Sequence, residues 1–344
     1  MTKKSIMLNI VPFNEIFYRK CFYNSLFSVV NYFNGSIISI LINDFITYSC
    51  TKVKDIKLID VEYLSAKSLD EVLHEMYILN INYNCVGDLI LKIISSISIN
   101  RPVVLFVDSF YETFRQDAYL KIHIPHALVI YGYDDTKHIF NIIEHENYET
   151  LSYKEYIISY EDLLNCYKGY IDNFPERISN PSYYEYYSLP IKDMIITKSM
   201  FDECSFLNSY SINILKNESI IKSGLACLED FILSYKDIFL NEDIIRENID
   251  EVLLRMNNII NAKRSELYKL NKIMNNNQYL FCNLLNILEK IIDDWCYVRA
   301  IIAKYLYTSI YKKENMLNTF SKLEQILEDE YKYNNMMFSN LSAL

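Results

Sequence analysis

The chain has 344 residues, a formal net charge of −10 at pH 7, and 51% hydrophobic against 23% charged residues. That length is enough for two domains and a sizeable core, and the composition excludes a disordered chain. An acidic chain repels phosphate backbones and anionic lipid, which argues against nucleic-acid and membrane partners.

From the N-terminus, Met1 to Pro12 lacks the apolar length and the small-residue cleavage site of a signal peptide. No apolar run reaches the ~18 residues of a membrane span. Cys21 to Asn34 predicts a helix, with Leu26, Val29, Val30 and Phe33 on one face and Asn34-Gly35 as its stop. Ile56 to Val61 predicts a strand. Ser68, with Glu71 three residues on, predicts a capped helix to about Leu79. Ile81 to Val86 is a short strand candidate, Gly87 to Ile97 a helix, and the apolar run Pro102 to Asp108 a buried strand. Ala127 to Tyr133 and His138 to Glu144 predict a hairpin joined by Asp134-Asp135-Thr136-Lys137. The chain changes character after Pro190. From 225 onward it contains no Gly or Pro, and apolar residues recur at helical spacing in long segments, predicting four or five helices.

Eight cysteines stand at 21, 50, 85, 166, 204, 227, 282 and 296, none in a Cys-x-x-Cys pair. Most lie in apolar stretches, which predicts free thiols in a reducing cytoplasm. Residues 1–57 carry an excess of positive charge, with Lys3, Lys4, Arg19, Lys20, Lys52, Lys54 and Lys57 against Glu15, Asp44 and Asp55. That excess reads as a solvated surface or as a docking face for an acidic partner.

Two features carry chemistry. Cys21 opens a helix, where the first-turn N–H groups, the helix dipole, Arg19 and Lys20 favour a thiolate nucleophile. His126 heads an apolar strand and is the candidate base, whereas His123 lies in the polar lead-in. If the hairpin centres on Asp135, His126 faces Glu144 or His145 across the ladder; Glu144 would orient the imidazole, with Glu146 as the fallback. Asp108, at the end of its strand, is a site-shaping or turn-forming residue. His123, His126, His138 and His145 fall on both faces of the hairpin, so no metal site and no cofactor are expected.

Lys20-Cys21-Phe22-Tyr23-Asn24-Ser25-Leu26, Arg101 to Asp108 with Phe110-Tyr111, and His126 with Tyr131-Gly132-Tyr133-Asp134 together resemble butirosin biosynthesis protein H-like N-terminal domains. Those domains are similar in turn to papain-like peptidases that remove bacteriocin leader peptides. The resemblance covers roughly residues 15–195. It implies an α+β, papain-like cysteine-enzyme domain with an antiparallel sheet and a Cys-bearing helix over 1–195; the helical spacing beyond it predicts an all-helical domain over 196–344. The resemblance also implies a Cys21-His126-Glu144 acyltransferase. Such an enzyme would take an acyl group from an acyl carrier protein or another thioester donor and pass it to a small amine. The leader peptidases carry an oxyanion-donating Gln six residues before the cysteine; this chain has Glu15 there, which cannot donate when ionised, so Asn14 and the backbone N–H of Cys21 become the candidate donors. A cysteine peptidase or amidase acting on a peptide natural product and a non-catalytic binding module remain as alternatives. The helical region reads equally as a lid, a carrier-docking surface or a homodimer interface.

Overall fold

The computed structural model describes residues 4–53, 56–147, 150–177, 179–189, 203–274 and 278–343. The strands are β1 (Ser5–Met7), β2 (Asp44–Val53), β3 (Ile56–Ser65), β4 (Ile78–Tyr83), β5 (Val103–Asp108), β6 (Pro125–Asp134), β7 (Ile139–His145), β8 (Tyr153–Ser159) and β9 (Tyr183–Ser188). The helices are α1 (Cys21–Tyr32), α2 (Ile37–Asn43), α3 (Leu69–Glu75), α4 (Leu89–Ser98), α5 (Tyr160–Asn173), α6 (Glu203–Lys216), α7 (Glu218–Phe239), α8 (Glu242–Ile273), α9 (Gln278–Thr308) and α10 (Lys313–Ser342).

The chain divides into two units, and the division is not the continuous one expected. Residues up to Ile37 join those from Ser68 onward in an α+β unit, while Ile38–Lys67 belongs with the C-terminal helices. The 1–195 domain is thus interrupted, and the second unit is not all-helical. The expected break at 195/196 lies outside the described residues. The basic excess of residues 1–57 is divided between the two units as well, and in the second Lys57 pairs with Asp230 at 2.9 Å.

In the α+β unit, α1 begins at Cys21 and buries Leu26, Phe27, Val29 and Val30. It ends where Asn34 turns left-handed (φ 58°) and the Gly35 N–H reaches back to the Val30 carbonyl at 2.9 Å. Two buried polar side chains on α1 fasten the preceding segment to it. Asn24 accepts from the Tyr18 N–H and donates to the Ile16 carbonyl, and Ser28 accepts from the Phe13 N–H. The Ser68–Glu71 capping box forms, but α3 stops at Glu75 because left-handed Tyr77 (φ 59°) turns the chain into β4, where ladder pairing with β9 replaces helix bonds. The sheet runs β4-β9-β5-β6-β7-β8, all pairs antiparallel, with β1 pairing the distal half of β6. Its central strands β5 and β6 are almost wholly buried.

In the second unit the β2–β3 hairpin packs on α7 and α8. Gly224 makes that approach possible: a Cβ there would overlap Thr47 Oγ1 and lie 2.9 Å from Tyr48 N. A buried polar network locks the hairpin in register. Tyr48 Oη donates to Glu330 at 2.7 Å and accepts from Trp295 Nε1 at 3.1 Å, and Lys263 Nζ pairs with Glu330 at 2.5 Å. Around it, side chains such as Leu284, Leu288, Trp295 and Leu323 are fully buried, each stabilising by about 2 kcal/mol. Among the described residues no helix is long and apolar enough to cross a membrane.

Candidate active site

The residues at the head of α1 and the start of β6 come together. Cys21 is the first residue of α1, so its N–H and those following belong to the group without intrahelical acceptors. Its thiol is half-buried and hydrogen-bonded to the His126 ring and to the Ala127 backbone N–H. Burial works against the thiolate, but the His126 charge and hydrogen bond and the Ala127 N–H outweigh it and hold the thiol below its ordinary value. Ser25, one turn along α1, donates to the Ala127 carbonyl at 2.7 Å, fixing helix to strand beside the pair.

Glu144 reaches His126 by a route the simple register does not predict. Nearest the turn, β6 and β7 pair as Asp134↔Ile139, Tyr133↔Phe140 and Gly132↔Asn141. Continued unchanged, that register would set Glu144 opposite Val129 and on the far face from His126. A bulge at Tyr131 shifts the pairing to Ile130↔Ile142 and Val129↔Ile143. Glu144 then lies opposite Leu128 and shares the His126 face, one pleat along. The pairing is diagonal rather than direct, and Oε1 comes within 2.6 Å of His126 Nε2. The contact lacks hydrogen-bond alignment and acts as a charge contact.

Further groups crowd this pair. Arg115 is 1% exposed; its Nε and Nη2 are held by Asp117 at 2.9 Å each, and Nη1 lies 3.6 Å from Glu144 Oε1. Glu112 is fully buried. Burial, then the nearby Glu144 charge, push its carboxyl up to about 8. Burial also pushes Glu144 up to about 8, against the pull of Arg115 and the His145 N–H. His145 stacks parallel to His126 at 6.0 Å, and burial followed by the His126 charge presses it down to about 4, so it stays neutral. Tyr153 packs on His145 at 4.7 Å, and its hydroxyl meets the Cys21 carbonyl at 3.5 Å.

The other expected site residues are bound to other partners. The Asn14 amide gives and takes hydrogen bonds with the Tyr153 backbone at 2.9 and 2.7 Å, tethering β8. Glu15 is exposed. Glu146 pairs with Lys154 at 2.8 Å on the surface, away from the imidazole. Asp108 is fully buried and binds His123 Nδ1 at 2.6 Å rather than His126. Among the described residues no group of three His, Cys, Asp or Glu side chains is placed to hold a metal ion. Seven cysteines are free; the Cys204 side chain lies outside the described residues. Arg115 and Glu112 had no periodic signal in the sequence. Their only trace is a compact charge cluster, Glu112-x-x-Arg115-x-Asp117, within a loop. No family model matches the chain, nor does any curated protein.

Glu112 makes the stability of this unit pH-dependent. A carboxyl at about 8 in the folded state and near its ordinary value of 4.5 unfolded binds more protons when folded. Its contribution is complete below about 4.5 and is lost as pH rises through about 8. Thermal melts of Glu112→Gln should therefore lose less stability than wild type between pH 5 and pH 8.5. Parallel pH dependence in the two proteins would show that Glu112 is not the group concerned.

Proposed function

We propose that this chain is a papain-like cysteine acyltransferase. In this reading Cys21 takes an acyl group from a thioester, as on an acyl carrier protein, and transfers it to a small amine. The observation that carries the reading is the Cys21–His126 hydrogen bond, which holds the thiol below its ordinary value at the head of α1. The thiolate attacks the thioester carbonyl, and the carbon–sulfur bond to the donor breaks. The donor thiolate takes the proton held on His126, leaving acyl-Cys21 and a neutral imidazole. Thioester exchange is nearly isoenergetic, so the chemistry asks chiefly for a reactive thiolate and exclusion of water. Glu144, 2.6 Å from Nε2, stabilises the imidazolium when it is ionised, a state that burial pushes up to about pH 8. Free thiols among the described cysteines support a reducing, cytoplasmic setting.

Intact-mass spectrometry after incubation with a panel of acyl N-acetylcysteamine thioesters tests the reading. Wild type should gain the acyl mass, and Cys21→Ala should not. Addition of a primary amine should release amide faster than water releases acid. Discharge unaffected by amine would instead favour a peptidase or amidase, and no adduct from any thioester or peptide ester would leave a binding module.

A further inference from the structure

The α+β unit holds a second histidine–carboxylate pair that the acylation step does not use. His123 Nδ1 lies 2.6 Å from Oδ2 of Asp108, a carboxylate that is fully buried. The same oxygen accepts from Asn173 Nδ2 at 3.0 Å, and the other from the Phe110 N–H at 3.1 Å. The imidazole stacks on Phe110 with centroids 4.1 Å apart. A carboxylate on Nδ1 fixes the tautomer, so Nε2 is left as the basic nitrogen. The side chain is 42% exposed; Nδ1 also meets Asn173 Nδ2 at 3.2 Å, and among the described residues Nε2 has no hydrogen-bond partner. A histidine needed only to close its loop has no use for this combination of buried carboxylate, stacked ring and open Nε2.

Asp108 shares the sheet face on which Phe22, the residue after Cys21, packs, whereas the His126 side chain, opposite Val107, leaves from the other face. Ala127, whose N–H binds the Cys21 sulfur, stands opposite Phe106 on β5. Asp108 lies two residues beyond Phe106, on the same face and about 7 Å along the strand. Aromatic rings line the interval: Phe22, the residue after Cys21, stacks on Phe106 at 5.8 Å, and Phe106 meets Tyr170 at 5.6 Å. Tyr170 precedes Asn173 by one helical turn, and its hydroxyl feels the Cys21 charge. Phe106 sits on an inner strand yet is only partly buried.

We propose that His123, oriented by Asp108, is the base that deprotonates the acceptor amine as it approaches past this partly exposed aromatic face. The proposal rests on the acyl-transfer reading above. A primary amine reaches the site as an ammonium ion and cannot attack until it loses a proton. His123 Nε2 takes that proton. The amine nitrogen forms its bond to the acyl carbon, and the carbon–sulfur bond to Cys21 breaks. The second nitrogen proton passes to His126, which restores the Cys21 thiolate–imidazolium pair; His123 returns its proton to solvent. His126 thus serves the thiol and His123 the amine, so one base need not do both tasks at once.

The test uses the full chain, acylated at Cys21 by its best N-acetylcysteamine thioester and discharged with ethanolamine. Acyl mass and amide are followed as functions of pH for wild type, His123→Gln and the exposed control His74→Gln. For His123→Gln, amine discharge at pH 7 should fall about 100-fold. The deficit should close near pH 10, where the amine is already neutral. Loading of Cys21 should match that of His74→Gln. Asp108→Asn should show the same pH-dependent recovery if it folds. A deficit equal at all pH values, an equal loss of loading, or no deficit overturns the proposal while leaving acyl transfer standing. A wild-type chain that never gains acyl mass overturns both.

Discussion

Replacing His126 with Ala should slow alkylation of Cys21 by iodoacetamide at pH 6.5 by on the order of 100-fold. The reason lies in the opposing influences on the thiol. Burial alone raises it, and His126 supplies both the charge and the hydrogen bond that bring it below its ordinary value. Without the imidazole, only the Ala127 N–H and the helix head remain to favour the thiolate. Turnover of any acyl substrate should fall at least as far, because the leaving thiolate loses its proton donor. Peptide mapping at limiting reagent provides the measurement. Cys85 and Cys282 are exposed and will compete by access, so the comparison belongs at low pH, where thiolate character dominates access. Cys50 is pushed up to about 11, and burial raises Cys166 further, so neither should label early. Preferential wild-type labelling of Cys85 at pH 6.5 would remove the chemical basis of the site.

Arg115→Met should destabilise the α+β unit by about 3 kcal/mol, because it leaves Glu144 and Asp117 without their shared cation. Arg115 is 1% exposed and carries two hydrogen bonds to Asp117 besides its approach to Glu144, so solvent cannot replace it. The substitution should also act on chemistry. Burial already pushes Glu144 up to about 8, and without Arg115 it should rise further. The Glu144 carboxylate then forms only at a higher pH, so any step in the Cys21 alkylation profile near pH 8 should move upward with it. Arg115→Lys keeps the charge but loses the forked pair with Asp117, and should fall between wild type and Met in both readouts. Denaturant melts give the first effect and alkylation rates against pH the second. A destabilised Arg115→Met with an unchanged alkylation profile would reduce Arg115 to a structural ion-pair partner.

Local patterning in the sequence was enough to place Cys21 at the head of a helix stopped by Asn34, the buried strand ending at Asp108, and His126 at the head of a hairpin strand. Each is an effect of neighbours in the chain: helical periodicity, a left-handed stop and a run of apolar residues. The same periodicity showed the long C-terminal helices, because their interiors contain neither Gly nor Pro from 225 onward. Tertiary structure decided the rest. The β2–β3 hairpin joins α7 and α8 because Gly224 leaves room for it and Tyr48 finds Glu330 and Trp295, partners hundreds of residues away that no local pattern encodes. The third member of the site depends on one extra residue in a ladder. With the bulge at Tyr131, Glu144 shares the His126 face; without it, the β7 side chains from Ile142 to His145 would lie on the wrong side. Asp108 and Asn14, both expected near Cys21, went instead to His123 and to the Tyr153 backbone, because a buried carboxylate or amide binds the donors and acceptors that the fold brings within reach. Arg115 entered the site for the same reason: a buried carboxylate requires a cation, and only the folded loop brings one to it.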